Sequence, residues 1–183
     1  TIGCTRDDAI GEAFDKVGRV MGLPYPGGAE MDRLASIGDP DAIKFPSAAV
    51  VGDNLDFSFS GLKTAVINHI HNCEQKGAGY SREDIAASFT KTVVASVLKK
   101  LGIAFDQTGC RQFVLAGGVA ANSHLRGALE KFCAERGVRF CVPPRSLCGD
   151  NAAMIGAQGY YEYLAGKRAD TSLNAFASGR NDC

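Results

Sequence analysis

Apolar residues recur at helical spacing from the start of the chain. Ile10, Ala13, Phe14, Val17, Val20 and Met21 form one stripe, the pattern of a helix that buries a single face. Asp7 or Asp8 supplies its acidic start, and Gly22 with Pro24 and Pro26 stops it. Tyr25-Pro26-Gly27-Gly28 reads as a turn, followed by a short helix from about Ala29 to Ile37. Prolines and glycines mark Gly38 to Asn54 as loop. Leu55 to Ser60 alternates apolar and polar, which predicts a short half-buried strand. A helix is predicted from Gly61 to about Gln75. Ser81, with Asp84 three residues on, reads as a capping box. It opens the longest helix, through Ile85, Phe89, Val93, Val97 and Leu101.

The pattern then changes class. Gln112 to Ala116 is a buried strand by its apolar run, followed by Gly117-Gly118 and an amphipathic helix from about Ala120 to Arg136. Val138 to Val142 is a second strand, stopped by Pro143-Pro144, and a last helix runs from about Asp150 to Leu164. Strand–helix–strand–helix order predicts a parallel pair in an α/β layer. The helices within Arg111 to Leu164 are expected to pack on that layer, and those from Gly61 to Phe105 to pack against it. The tail from Gly166 is polar and expected to be poorly packed.

Composition narrows the function classes. Twenty Lys and Arg balance twenty Asp and Glu in 183 residues, which excludes nucleic-acid binding by whole-surface charge but not a local basic patch. An apolar share of 45% fits a globular core. No apolar run approaches the ~20 residues of a membrane span, and no signal peptide opens the chain. Seven cysteines, an odd number without a C-x-x-C pair, fit reduced thiols in a cytoplasmic protein. The first residue is Thr1 rather than Met, so the chain is expected to be part of a longer one.

Several residues could carry chemistry, and each has a plain structural alternative. Gly117-Gly118 sits where a strand ends and a helix begins, a corner that can cradle a nucleotide or phosphate or serve as a tight turn. Asn122 falls in the first turn of the next helix, as a cap or a ligand contact. Asp150 opens the last helix and could be its N-cap, accepting an N–H from Ala152 or Ala153, or a metal ligand. Asp15 lies outside the apolar stripe and faces water or a cleft. His69 and His71 are two apart, on different helix faces, so they make no metal pair. Neither H-E-x-x-H nor a P-loop occurs.

Four stretches taken together are more specific: GEAFDKVGRVMGLPYPGG from Gly11, FSFSGLKTAV from Phe57, LAGGVAANSHLR from Leu115 and GDNAAMI from Gly149. With these motifs in this order, from about Arg6 to about Tyr163, the chain resembles the carboxyl half of the TsaD/YgjD/Gcp family, the tRNA N6-adenosine threonylcarbamoyltransferases once labelled O-sialoglycoprotein endopeptidases. The resemblance implies an α/β fold of the actin-like/sugar-kinase/Hsp70 (ASKHA) type, helix-rich, two lobes around a nucleotide cleft, with mainly the second lobe present. It implies a segment 1–54 bordering the cleft, a lobe 55–165 and a polar tail 166–183. Asp15, Gly28 and Asp32 would hold substrate. Gly117, Gly118 and Asn122 would hold the adenylate part of threonylcarbamoyl-adenylate, and Asp150 would ligate iron or a similar divalent metal.

The family's His-x-x-x-His metal motif and Ser-Gly-Gly-His-Thr phosphate loop are absent here. No catalytic residue is therefore assigned within this chain, which is expected to be inactive alone and to hold no metal. The implied partners of the whole protein are tRNA, a TsaB-type paralogous scaffold and a TsaE-type ATPase. Two other readings stand beside this one: a non-catalytic paralogue of the same complex, and another nucleotide-dependent kinase or ATPase of the same fold. Retention of Asp150, Asn122 and FSFSGLKTAV favours the catalytic member. No peptidase motif of zinc type occurs, and nothing positions a serine or cysteine nucleophile.

Overall fold

The amphipathic stripe of the first helix sets the larger core. The computed structural model describes residues 1–52 and 54–174; Cys183 and the end of the tail lie outside the described residues. Helix α1 (Ile10–Val20) is followed by α2 (Gly28–Ala35), α3 (Ser60–Gln75) and α4 (Arg82–Thr108). Ala13, Phe14, Val17 and Met21 meet Met31 and Leu34 of α2, Leu62, Val66 and Ile70 of α3, and Ile85, Phe89 and Val93 of α4. At its centre Phe14 and Phe89 meet edge to face, ring centroids 5.0 Å apart, an arrangement worth about 0.5–1.5 kcal/mol beyond the area buried.

Helix α4 is longer than its apolar pattern predicts. It spans 27 residues, about 40 Å at 1.5 Å per residue, and stops at Gly109, whose φ of 65° is the left-handed conformation that favours glycine. Gly102, inside the helix, does not break it. The predicted loop from 38 to 54 is pinned along this helix. Ser88 Oγ accepts the Ile43 N–H at 3.1 Å, Ser96 Oγ accepts that of Ala48 at 3.0 Å, and Lys100 Nζ, nearly fully buried, donates to the carbonyls of Val50 and Asn54.

The carboxyl end of α4 enters a second, smaller core. Strands β1 (Gln112–Val114) and β2 (Arg139–Cys141) pair in parallel, Phe113 opposite Phe140, with α5 (Ser123–Glu135) as the crossover. Phe105 packs on Phe113 and Phe132, and Phe113 on Phe140, at centroid distances of 5.9–6.1 Å. The parallel pair is as the element order predicts. Three other expectations fail. Only the end of α4 reaches the sheet, whereas α3 belongs to the first core. The strand β1 is not buried: Val114 is 59% exposed, because aromatic packing covers only the Phe113 side. And α6 (Ala152–Leu164) has no buried residue among its own, with Met154, Ile155, Tyr160, Tyr161 and Leu164 all exposed. No helix among the described residues is long and apolar enough to cross a membrane.

The predicted strand at 55–60 is not one either; Phe57 makes only isolated bridges with Thr5 and Ala49. Asp7 is the cause. Its Oδ1 accepts the N–H of Phe59 at 2.8 Å and of Ser60 at 3.3 Å, and its Oδ2 accepts the hydroxyls of Ser58 and Ser60. These are N–H groups at the start of α3 that have no partner within the helix, so the chain turns into α3 where a strand would continue. Burial alone would push the Asp7 carboxyl up; the hydrogen bonds from Ser58, Ser60, Phe59 and Asp8 outweigh it and hold the group well below its ordinary 3.8. A depressed folded-state pKa stabilises above the unfolded value and is lost as pH falls through the folded one. The Asp7→Asn variant should lose about 1 kcal/mol near neutrality, a typical cap contribution, and its stability should fall less steeply than wild type below about pH 4. Urea unfolding at a series of pH values checks this; parallel curves would refute it.

Candidate functional site

Between the two cores lies a cleft of about 860 Å³. One wall is the amino end of α1 and the turn into α2, with Ile10, Phe14, Asp15, Gly28 and Asp32. The other is the loop after β1, with Gly117, Gly118, Val119 and Asn122, and beside it Arg145. The six residues expected to bind substrate or nucleotide, Asp15, Gly28, Asp32, Gly117, Gly118 and Asn122, all line this one cleft.

Each wall is built by a side chain that satisfies a helix terminus. Asp15 Oδ1 accepts the N–H of Gly27 at 2.8 Å and of Gly28 at 3.2 Å, the uncapped start of α2. The turn can lie this close to α1 because Gly18 and Gly27 face each other; a Cβ on Gly18 would stand 3.3 Å from the Gly27 Cα. Asp32 Oδ1 accepts the Ser123 N–H at 2.9 Å, tying α2 to the head of α5. Ser36 Oγ and His124 Nε2, 3.2 Å apart, add a second tie between the same helices.

The glycine loop enters the cleft through Gly117, whose φ of 88° an L side chain would strain. The chain then makes a 3-10 turn, Gly118–Ala121, where the sequence predicts the start of the α-helix, and α5 begins at Ser123. Asn122 is its N-cap: Oδ1 accepts the Leu125 N–H at 2.8 Å. The Nδ2 of the same side chain is buried without a hydrogen-bond partner, and a buried donor left unpaired is costly. The cap and the cleft position are thus both real for Asn122.

Two arginines at this wall were not singled out from the sequence. Arg126 donates to the Ala120 carbonyl at 2.8 and 3.1 Å and to the Pro143 carbonyl at 3.0 Å, locking the 3-10 turn to the segment after β2. Its place at the end of LAGGVAANSHLR, one helical turn after Asn122, is the signal that could have found it. Arg145 opens a second 3-10 turn, Arg145–Leu147, that packs against the first.

Asp150 stands apart. It is exposed, does not line the cleft, and does not cap α6. The cap is Asn151, extended at φ −149° and ψ 143°, whose Oδ1 accepts the Met154 N–H at 2.9 Å. The expected cap was one residue early, because the helix starts at Ala152 and the residue just before it has the cap geometry. Among the described residues no three His, Cys, Asp or Glu side chains come together to hold a metal ion. Hydrogen exchange separates the two positions: Asn151→Ala should speed exchange at the Met154 amide about five- to tenfold, in line with a cap worth about 1 kcal/mol, and Asp150→Ala should not. The reverse result would restore Asp150 as the cap.

Comparison with known proteins agrees with the motifs. The family model described as TsaD, tRNA N6-adenosine threonylcarbamoyltransferase, matches residues 1–157. Proteins of that name from Moorella thermoacetica and Staphylococcus carnosus are 53% and 49% identical over 95% and 97% of this chain. One from Bacillus cereus is 52% identical over 95%. The chain spans about half the length of these curated relatives, 51% of each. Two solved structures share the fold at low identity: full-length HypF in a phosphate- and nucleotide-bound form (TM-score 0.60, 19% identity) and HypF from T. kodakarensis (0.64, 20%). They cover 86% and 87% of this chain, which covers 20% of each. With the family model matching well over half of its residues, the chain belongs to the TsaD family.

Proposed function

We propose that this chain forms the nucleotide-facing side of a tRNA N6-adenosine threonylcarbamoyltransferase of ASKHA-type fold, acting in the cytoplasm as part of a longer protein. The observation that carries this reading is the convergence of Asp15, Gly28, Asp32, Gly117, Gly118 and Asn122, from distant parts of the chain, on one cleft. In the reaction the N6 amine of the adenosine beside the anticodon attacks the carbamoyl carbon of threonylcarbamoyl-adenylate, and AMP leaves. The chemistry demands that both reactants be held and that charge on the acyl and phosphate oxygens be stabilised.

This chain's contribution is positioning. Asp15 and Asp32 each commit Oδ1 to backbone N–H groups, which fixes the carboxylates and leaves Oδ2 to accept from sugar hydroxyls. A Cβ at Gly28, Gly117 or Gly118 would meet nothing within 4 Å. These open, side-chain-free surfaces admit a flat ring, and the partnerless Asn122 Nδ2 supplies a donor to it.

A divalent metal, iron in this reading, would act as a Lewis acid when bound. Asp150 could give it one oxygen, but among the described residues no three His, Cys, Asp or Glu side chains come together to hold a metal ion, so this chain alone does not fit the metal and no step is derived through it. The tRNA and the TsaB-type and TsaE-type partners belong to the same proposal for the whole protein.

Calorimetry with AMP tests the reading. The chain should bind AMP at least about tenfold more weakly than a full-length relative, since half of a two-lobed site leaves much of the ligand in water. Asp15→Ala should weaken binding further, by removing a fixed acceptor worth roughly 1.5–3 kcal/mol. Equal affinity in chain and full-length protein would place the entire site here, and no binding at any concentration would overturn the nucleotide assignment.

A further inference from the structure

Arg145 is the one cation among the described residues that line the cleft, and it forms no ion pair with either carboxylate lining the same space. The cleft offers a ligand both acceptors and donors. Asp15 and Asp32 offer acceptors. Asn122 Nδ2 and the Arg145 guanidinium offer donors, beside the open backbone of Gly117 and Gly118.

The position of Arg145 is not arbitrary. Its turn packs against Gly118–Ala121, and Arg126 clamps Ala120 to Pro143, two residues before Arg145. The side chain is itself exposed, at the rim. Apolar side chains (Ile10, Phe14, Ala116, Val119) complete the slot. A slot walled by glycine backbone and apolar groups suits a planar ring, and a guanidinium at its mouth is a second plane that can lie on that ring.

We propose that Arg145 is a specificity-determining residue that stacks on the purine base, closing the open side of the slot while the sugar faces Asp15 and Asp32. The inference rests on the nucleotide reading above and adds to it a residue that neither the motifs nor the capping pattern single out. It requires a flat side chain at 145, not merely a positive one.

The test is an NMR titration of this chain with adenosine and with AMP, to millimolar concentration, in wild type and in Arg145→Ala, Arg145→Lys and Arg145→Tyr. Stacking predicts that Arg145→Ala weakens both ligands about equally, by about tenfold. Arg145→Lys should fail to restore affinity, and Arg145→Tyr should restore most of it. Loss confined to AMP with rescue by Lys would make Arg145 a phosphate anchor and overturn the proposal. Unchanged affinity in Arg145→Ala would remove the residue from the site altogether. If wild type binds neither adenosine nor AMP, the nucleotide reading itself fails, a result distinct from both.

Discussion

Three aspartates from remote positions hold three helix amino-termini, and the architecture depends on them. Asp7 takes the first N–H groups of α3, Asp15 those of α2, and Asp32 that of Ser123 at the head of α5. A helix start leaves four N–H groups without partners and carries partial positive charge, so a carboxylate satisfies hydrogen bonding and dipole together. A cap drawn from the same stretch of chain would stabilise only its own helix. A cap drawn from another element also fixes how two elements sit, and here that sets α1 against α2 and α2 against α5.

The cleft follows from this arrangement. The apolar side chains divide into two cores, bridged by the long helix α4 and separated by the cleft. Two cores joined by one helix would hinge freely. The Asp32–Ser123 bond, with Ser36 and His124 beside it, closes the far side. Two of the three capping carboxylates, Asp15 and Asp32, also line the cleft, so the groups that hold the walls also face the space between them. Substituting either would change the shape of the cleft.

Much of this was legible in the sequence. The 3.6-residue stripe of α1, the Ser81 cap of α4 and the strand–helix–strand order are local patterns, and the structure holds all three. The six cleft residues came from motif resemblance, and the fold brings them together. What escaped was non-local. Nothing around Phe57 tells that Asp7 will take its following N–H groups, so an alternating stretch reads as a strand. The burial expected of β1 and α6 assumed covering layers that the described residues do not supply. At Gly149-Asp150-Asn151 two residues were eligible caps, and the one-residue choice depended on backbone angles the sequence does not state. Arg145 lacks any periodic or spacing signal; only its place on the wall identifies it.

The central claim is that the cleft walls are fixed in the free chain by carboxylates on helix starts. Amide hydrogen exchange at Gly27, Gly28 and Ser123, without any ligand, addresses it most directly. These three amides have no partner within their own helices, so only Asp15 and Asp32 can protect them. The account predicts slow exchange at all three in wild type, fast exchange at Gly27 and Gly28 in Asp15→Ala, and fast exchange at Ser123 in Asp32→Ala. Fast exchange at the three amides in wild type would contradict it.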